Sequence, residues 1–364
     1  MGCQSFFERV SLQPHPFRLI LMLTQQALQA ILDNFPRIHA GHLPTPIDAL
    51  TNLGVHFGVQ ISVKRDDCTG VAFGGNKVRQ LEFYLGDALA RRADTLLITG
   101  AVQSNFVRTA AAMAAKLNLE CHVQLEDRIS NTSAVYHRNG NVLLDKLCGA
   151  VVHRFPEGED EAAADAALEL LADELRGQGA TPYIIRLGAA YPPVGALGYV
   201  AAALELVQQL PWVEPVDEIV VCSGSALTHV GILVGLRLLE LDIPILGVCV
   251  RRDARQQTAR VVQRVSDLIA MLDCPLNIPK TDIRLDDGAL APGYGQLNQA
   301  TVDAIKLAAT REGLLLDPVY TGKGMAGLLQ QSNRLRGKHV LFWHTGGQPA
   351  MFAYQDQLAD AGLV

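Results

Sequence analysis

Ile61-Ser62-Val63-Lys64-Arg65-Asp66-Asp67, then Gly74-Gly75-Asn76-Lys77 and a run with helical spacing, is the stretch that decides the fold. An apolar strand feeds a glycine turn, and the turn delivers one lysine amine to the start of a helix. A free lysine, with a pKa of about 10.4, is a poor nucleophile at neutral pH. Partial desolvation near a helix N-terminus disfavours the ammonium form, so the amine of Lys77 can attack carbonyls. A lysine after two glycines can equally be a solvated turn residue, so the rest of the chain has to decide.

A second turn adds to the first. Ser223, Gly224, Ser225, Ala226, Leu227 and Thr228 follow the apolar strand Ile219-Val220-Val221-Cys222 and precede a helical run over 230–239. Free backbone N–H groups at such a turn, backed by a helix dipole, bind phosphate. The spacing matches neither a Walker loop nor a GxGxxG dinucleotide turn. An ordinary strand-to-helix turn would look the same. A lysine nucleophile together with an isolated phosphate cradle points to pyridoxal 5′-phosphate, which needs both.

Outward from these turns, residues 78–91 place Leu81, Tyr84, Leu85, Ala88 and Leu89 at helical spacing, and Thr95-Leu96-Leu97-Ile98 reads as a strand. A polar loop at 103–105 opens an alanine-rich helix through Lys116, and Cys121-His122-Val123-Gln124-Leu125 is the next strand. This order predicts an α/β fold with parallel sheets and right-handed crossovers. Ligands bind at the carboxyl ends of such strands. The acidic, alanine-rich segment 157–169 reads as a helix with a solvated face, and a second α/β series runs from Asp217 to the end.

The motifs Lys64-Arg65-Asp66-Asp67, Gly74-Gly75-Asn76-Lys77, Gln103-Ser104-Asn105, Asn139-Gly140-Asn141, Ala196-Leu197-Gly198-Tyr199, Pro292-Gly293-Tyr294-Gly295, Asp317 to Lys323 and His344-Thr345-Gly346-Gly347 occur in order along residues 35–354. Together they resemble the D-cysteine desulfhydrase / 1-aminocyclopropane-1-carboxylate deaminase family of pyridoxal-phosphate enzymes, which includes L-cysteate sulfo-lyase. The resemblance implies a tryptophan-synthase-β-like (fold type II) enzyme of two lobes, each with a mainly parallel sheet flanked by helices. The larger, cofactor-binding lobe would comprise 23–79 and 193–364, with a smaller α/β lobe, 80–192, inserted. Residues 1–22, which match nothing in the family pattern, read as an extension. The resemblance further implies a cytoplasmic homodimer acting on a small amino acid.

Roles follow from the same resemblance. Lys77 holds the cofactor and, when freed by the substrate amino group, takes the α-proton; Ser104 on the other face can relay it. Asn105 bonds the cofactor ring hydroxyl, residues 223–228 hold its phosphate, and Thr321 and Thr345 lie by the ring nitrogen. Asn76, Gln103, Ser104, Phe106, Tyr294 and Tyr320 face the substrate. On local grounds alone, Ser104 and Asn105 are equally N-cap residues, and the tyrosines equally core residues with bonded hydroxyls.

Aminocyclopropane deaminases carry Glu at the position of Thr321. A neutral hydroxyl does not hold a proton on the ring nitrogen, so β-elimination to pyruvate and ammonium is favoured over cyclopropane opening. Four departures from the family pattern, Phe106, Leu227, the turn Gly188-Ala189-Ala190-Tyr191 and Gln348-Pro349, point to an altered substrate with a larger or less polar side chain. Amino-acid replacement, racemisation and cofactor binding without turnover remain alternatives.

Composition sets the outer bounds. With 364 residues, 19% charged and 6% aromatic, the chain is long enough for a large core and is not disordered. A formal charge of −6 argues against nucleic acid as a partner. Seven scattered cysteines without CxxC spacing read as reduced cytosolic thiols rather than a metal site, and Cys68 as a small buried filler. The apolar stretch 17–23 carries Arg18 and is too short to span a bilayer.

Overall fold

A computed structural model of the chain describes residues 23–130, 132–158, 160–186, 188 and 190–363. The expected extension 1–22 lies outside the described residues. Ten strands form two sheets: β1 (Ile47–Ala49), β2 (Gln60–Arg65), β3 (Thr95–Ala101), β4 (Glu120–Glu126), β5 (Val151–Phe155), β6 (Pro182–Ile185), β7 (Glu218–Ser223), β8 (Ile245–Cys249), β9 (Arg284–Asp286) and β10 (His339–His344). The larger sheet has the order β1-β2-β10-β7-β8-β9 and the smaller β5-β4-β3-β6. β1 pairs antiparallel with β2, and the other pairings are parallel.

The parallel order follows from residue type. Every residue of β3, β7 and β10 is buried. Strands buried on both faces need helices on both sides of their sheet, and that requires crossover connections. Helices Leu197–Gln209 and Leu227–Leu238 pack over the larger sheet, where Val230, Leu233 and Ala203 share a core with Ile219, Val221 and Leu341.

In chain order the strands at 95–185 fall between the two runs that build the larger sheet, and two elements cross the expected lobe boundaries. Helix Asn76–Ala90 runs straight through position 79/80, because its face is buried without a break from Val78 to Leu85. At the C-terminus, Ala353, Tyr354 and Leu358 pack in the core of the smaller sheet, with Val123, Tyr136 and Val142. The acidic helix also differs. It spans Glu161–Gly177, capped by Asp160, and Ala164, Leu168, Ala172 and Leu175 are buried against the smaller sheet. Its composition hid this apolar stripe among alanines.

The Lys64–Asp67 motif turns out to be a buried ionic hub. Asp66 accepts from Arg79 Nε (3.1 Å) and Nη2 (2.9 Å), Thr45 Oγ1 (2.9 Å), Tyr199 Oη (2.6 Å) and Trp343 Nε1 (2.8 Å). Lys64 Nζ reaches Glu205 at 2.5 Å, and Arg79 joins the same carboxylate. The Asp66 carbonyl accepts from Gly75 N at 2.9 Å, so this hub fixes the turn that carries Lys77.

Candidate active site

β3, β4, β7 and β10 end at one cleft, open to solvent at its mouth and enclosing, with that open solvent, about 1070 Å³. Lys77 enters it from the first turn of its helix. The preceding Gly74 has φ 64°, and a Cβ there would lie 2.3 Å from the Asp67 carbonyl, so only glycine fits. Across the turn, a Cβ on Gly346 would lie 2.6 Å from Gly75 Cα, which packs the 345–346 backbone directly on the lysine turn. The half-buried Lys77 amine donates to Gln80 Oε1 at 3.2 Å and lies 4.9 Å from the centre of the Phe106 ring. Burial lowers its pKa to about 8. That is the direction a nucleophilic lysine needs.

The expected phosphate turn follows β7. Ala226 adopts φ 76°, helix Leu227–Leu238 starts there, and no side chain caps it. Its first-turn N–H groups therefore have no intrahelical acceptor. Gly224, Ser225, Ala226 and Thr228 line the cleft. The carbonyls of the turn are held by Gln257 and Arg252 at Gly224 (3.1 and 3.4 Å) and by Arg260 at Ser225 (3.3 Å). Thr228 Oγ1 accepts from both Asn76 Nδ2 (2.9 Å) and Gln80 Nε2 (3.0 Å), so its own proton is left to donate. These donors fit a phosphate. Ser223 and Leu227 do not line the cleft. Ser223 Oγ is bonded to Gln257 (2.9 Å) and His229 (3.3 Å), and Leu227 points into the large-lobe core. Leu227 therefore does not narrow the cradle, whose contacts are backbone contacts.

Ser104 caps helix Asn105–Lys116, accepting from Val107 N at 3.3 Å, and it lines the cleft as well. The cap residue thus also faces the cleft. Asn105 Oδ1 accepts from Asn141 Nδ2 at 3.0 Å, which leaves its Nδ2 as a donor on the cleft. Gln103 is different. Its Nε2 donates to the carbonyls of Tyr136 (2.6 Å) and Asn139 (3.0 Å), and its Oε1 accepts from Asn141 N (2.9 Å). It holds the 136–141 loop and does not line the cleft, contrary to the expected substrate contact. Asn76 lines the cleft, but its amide is tied to the phosphate turn.

Tyr294 and Tyr320 line the cleft as a pair, with hydroxyls 2.8 Å apart. Burial and the neighbouring Tyr294 push the Tyr320 hydroxyl well above its ordinary pKa. Thr345 lines the cleft; Thr321 does not. Thr321 Oγ1 lies 2.7 Å from Asp317 Oδ1 and accepts from Asp317 N at 2.8 Å, so it is fully engaged in a buried turn. The neutral neighbour of Thr345 on the cleft is Cys222, whose thiol burial pushes far up and whose Sγ donates to the Tyr320 carbonyl at 3.1 Å.

The sequence reading missed a charged sector. Glu126, Arg128, Glu161, Asp165, Arg251 and Arg260 also line the cleft. Glu161 reaches from the small-lobe helix to Arg251 (2.7 Å), Arg252 (2.8 Å) and Arg260 (3.6 Å). No motif flags these residues, because three separated segments supply them. Of the four departures, Phe106 and Gly188 line the cleft, whereas Leu227 and Gln348 do not. Gln348 Nε2 contacts Asp67 Oδ2 at 3.3 Å instead. Cys68 is exposed rather than buried, and its thiol pKa is raised, by partial burial first and then the Asp67 charge. The six cysteines among the described residues are free thiols, and these residues contain no metal-holding cluster. No helix among them is long and apolar enough to cross a membrane.

A lysine amine shifted toward its free base, facing an uncapped helix start across a cleft, is the arrangement of an enzyme that holds a phosphate-bearing aldehyde. The comparisons agree. Pyridoxal-phosphate dependent enzymes match as a family over residues 38–346. D-cysteine desulfhydrases of Salmonella choleraesuis (strain SC-B67) and Salmonella typhi are each 44% identical over 326 residues, 89% of this chain and 97% of theirs. The crystal structure of an ACC deaminase homologue, 34% identical, has a TM-score of 0.82 over 92% of this chain and 98% of that one. An L-serine ammonia-lyase from Rhizomucor miehei, 17% identical with a TM-score of 0.62, shares the fold. The chain belongs to the pyridoxal-phosphate dependent enzyme family.

Proposed function

We propose that this pyridoxal-phosphate dependent lyase removes a β-substituent from a small amino acid, releasing pyruvate and ammonium, in the manner of a D-cysteine desulfhydrase or an L-cysteate sulfo-lyase. The observation that carries the reading is the Lys77 amine on one cleft with Ser104, Asn105 and the Tyr294–Tyr320 pair. When bound, the cofactor supplies an electron sink for charge developing at the substrate α-carbon. Lys77 Nζ, with its lowered pKa, takes and returns the α-proton, and such general acid–base help contributes about 10²–10⁴-fold. Gln80 orients that amine. Ser104 Oγ holds the second face, and Asn105 Nδ2 donates to the cofactor ring. The Tyr294–Tyr320 pair shares one proton across 2.8 Å and supplies it to the departing group.

Elimination is favoured over cyclopropane opening because Thr345 and Cys222, which line the cleft and would stand by the ring, are neutral. Neither holds a proton on a ring nitrogen as a carboxylate would. A screen of D- and L-amino acids bearing β-leaving groups, read by keto-acid and ammonium release, tests the reading. Recovery of the enantiomer, or of a substituted amino acid, would establish racemisation or replacement instead. The cytoplasmic homodimer inferred from the resemblance belongs to the same proposal, and sedimentation of the purified holoenzyme tests the dimer.

Ser104→Ala is expected to keep the cofactor and to slow α-proton exchange by about 10²-fold, the scale of one acid–base group. Loss of the cap costs about 1 kcal/mol. A variant that loses the cofactor, yet exchanges protons normally once reconstituted, would show that Ser104 anchors rather than relays.

Phe106 is 4% exposed, with one face toward the Lys77 amine and its ring tilted by 53° against that of Tyr84, centroids 6.1 Å apart. It makes this wall of the cleft apolar, and Phe can donate to no substrate oxygen. Phe106→His is expected to raise kcat/KM for D-cysteine about tenfold relative to substrates with longer side chains, at unchanged cofactor content. Unchanged ratios would reduce Phe106 to a packing residue.

A further inference from the structure

Arg128 lies just past the end of β4 and lines the cleft. Its Nε and Nη2 clamp Glu126 Oε2 at 2.8 and 2.7 Å, and Thr99 Oγ1 holds Glu126 Oε1 at 2.6 Å. The Arg128 side chain is 10% exposed and that of Glu126 1%. A guanidinium carries five donors in a rigid plane, and this clamp uses the Nε–Nη2 edge. Among the described residues, no acceptor meets Nη1. The other two arginines of the cleft, Arg251 and Arg260, both reach Glu161. Arg128 also stands by the tyrosine pair, since its charge lowers the pKa of the Tyr320 hydroxyl against the effect of burial. A largely buried cation, fixed in orientation and with one edge open to a substrate cleft, is a receptor for an anionic oxygen group.

We propose that Arg128 binds an acidic group at the far end of the substrate's leaving group, so that the preferred substrates are amino acids whose β-leaving group carries a carboxylate or phosphate beyond its first atom. This rests on the lyase reading. The α-carboxylate would have a separate place near Ser104, which lines the cleft at the start of helix Asn105–Lys116. The two remaining carboxyl groups of the sector oppose an arriving anion only weakly. Glu161 is held by its three arginines. Burial, then the charges of Glu161 and Glu126, push Asp165 up to about 6. Protonation of Asp165 lessens what repulsion it exerts on the ligand.

A matched pair of compounds isolates the charge: S-carboxymethylcysteine and its neutral amide, S-carbamoylmethylcysteine, each as D and L forms. Elimination breaks the Cα–H and Cβ–S bonds. The base takes the proton, and sulfur leaves with the bonding pair, protonated by the Tyr294–Tyr320 pair. Water then releases ammonium and pyruvate. The holoenzyme is titrated with each compound by cofactor absorbance, and keto-acid release gives kcat/KM. In the accepted enantiomer, wild type is expected to bind the acid at least about tenfold more tightly than the amide, a difference of about 1.4 kcal/mol. That ratio should fall to near one in Arg128→Gln and remain partly in Arg128→Lys.

Removing Arg128 alone leaves Glu126 buried and unpaired, which can unfold the protein. The double variant Glu126→Gln/Arg128→Gln avoids that and is expected to show the same collapse of the ratio. A wild-type ratio near one, no binding of either compound, or a ratio that survives in the double variant overturns the proposal. Equal weakening of acid and amide also overturns it, because Arg128 would then hold the α-carboxylate. A clear binding ratio with no keto acid from any compound would refute the lyase reading while leaving the role of Arg128 intact.

Discussion

Lys77→Ala is expected to yield a colourless protein that loses its cofactor on dialysis and has less than about 10⁻³ of wild-type keto-acid release, since both the covalent hold and the proton-transfer base go at once. In wild type, borohydride should fix the cofactor on Lys77. Recovery of the adduct on another lysine would overturn the whole site. The lowered pKa adds a pH test. At about 8 instead of 10.5, the free-base fraction of Lys77 at pH 7 is larger by about 300-fold. Cofactor uptake by the cofactor-free protein should therefore speed up with rising pH, reach half its maximum near pH 8 and level off above about pH 9. A rate still climbing at pH 10 would mean that the amine is not desolvated. The turn of Gly224, Ser225, Ala226 and Thr228, proposed to hold the phosphate, is untouched in Lys77→Ala, so weak, reversible cofactor binding is expected to persist.

Asp66→Asn is expected to destabilise the protein by about 3–5 kcal/mol, the usual cost of removing one partner from a buried ion pair. The substitution keeps the shape and removes the charge that Arg79 and Lys64 surround. Burial alone would raise the Asp66 carboxyl, but Arg79 and then Lys64 hold it below the usual carboxylate range. The sign follows from that direction. The folded-state pKa lies below the unfolded one, so the stabilisation is present above about pH 4 and is lost as pH falls through the folded value. Urea denaturation at pH 7 measures the difference, and the gap between wild type and variant should shrink in acid. A change below about 1 kcal/mol at pH 7 would show that the hub is not what holds the lysine turn.

The strand-and-turn reading around Lys77 was legible in the residues themselves. Glycines at 74 and 75 serve a backbone that no Cβ could follow, and an apolar strand before Ser223 serves a sheet covered on both faces. Local sequence carries such information because φ/ψ demands and two-sided burial act on consecutive residues. The pairing of a lysine with a phosphate turn, and the class of cofactor it implied, came from the same local signals.

The uses of polar side chains were not legible. Gln103 and Thr321 sit in motifs beside Ser104 and Tyr320, yet the fold commits the first to the 136–141 loop and the second to Asp317. Lys64 and Asp66 were equally conspicuous, and their place is a buried hub beneath the site. Each of these side chains takes its partner from a distant stretch of chain, and a partner's position is fixed only when the sheets pack.

By itself the sequence determined the α/β class, the lysine turn and the strand-to-helix turn at 223–228, because each depends on residues adjacent in the chain. Only the tertiary structure decided which polar groups face the cleft. Glu126, Arg128, Glu161, Asp165 and Arg251 come from strand ends and a helix start far apart in sequence, and they meet because parallel strands bring their carboxyl ends to one edge. The energy of a charge at that edge depends on burial and on partners across it, and neither is a property of the local chain.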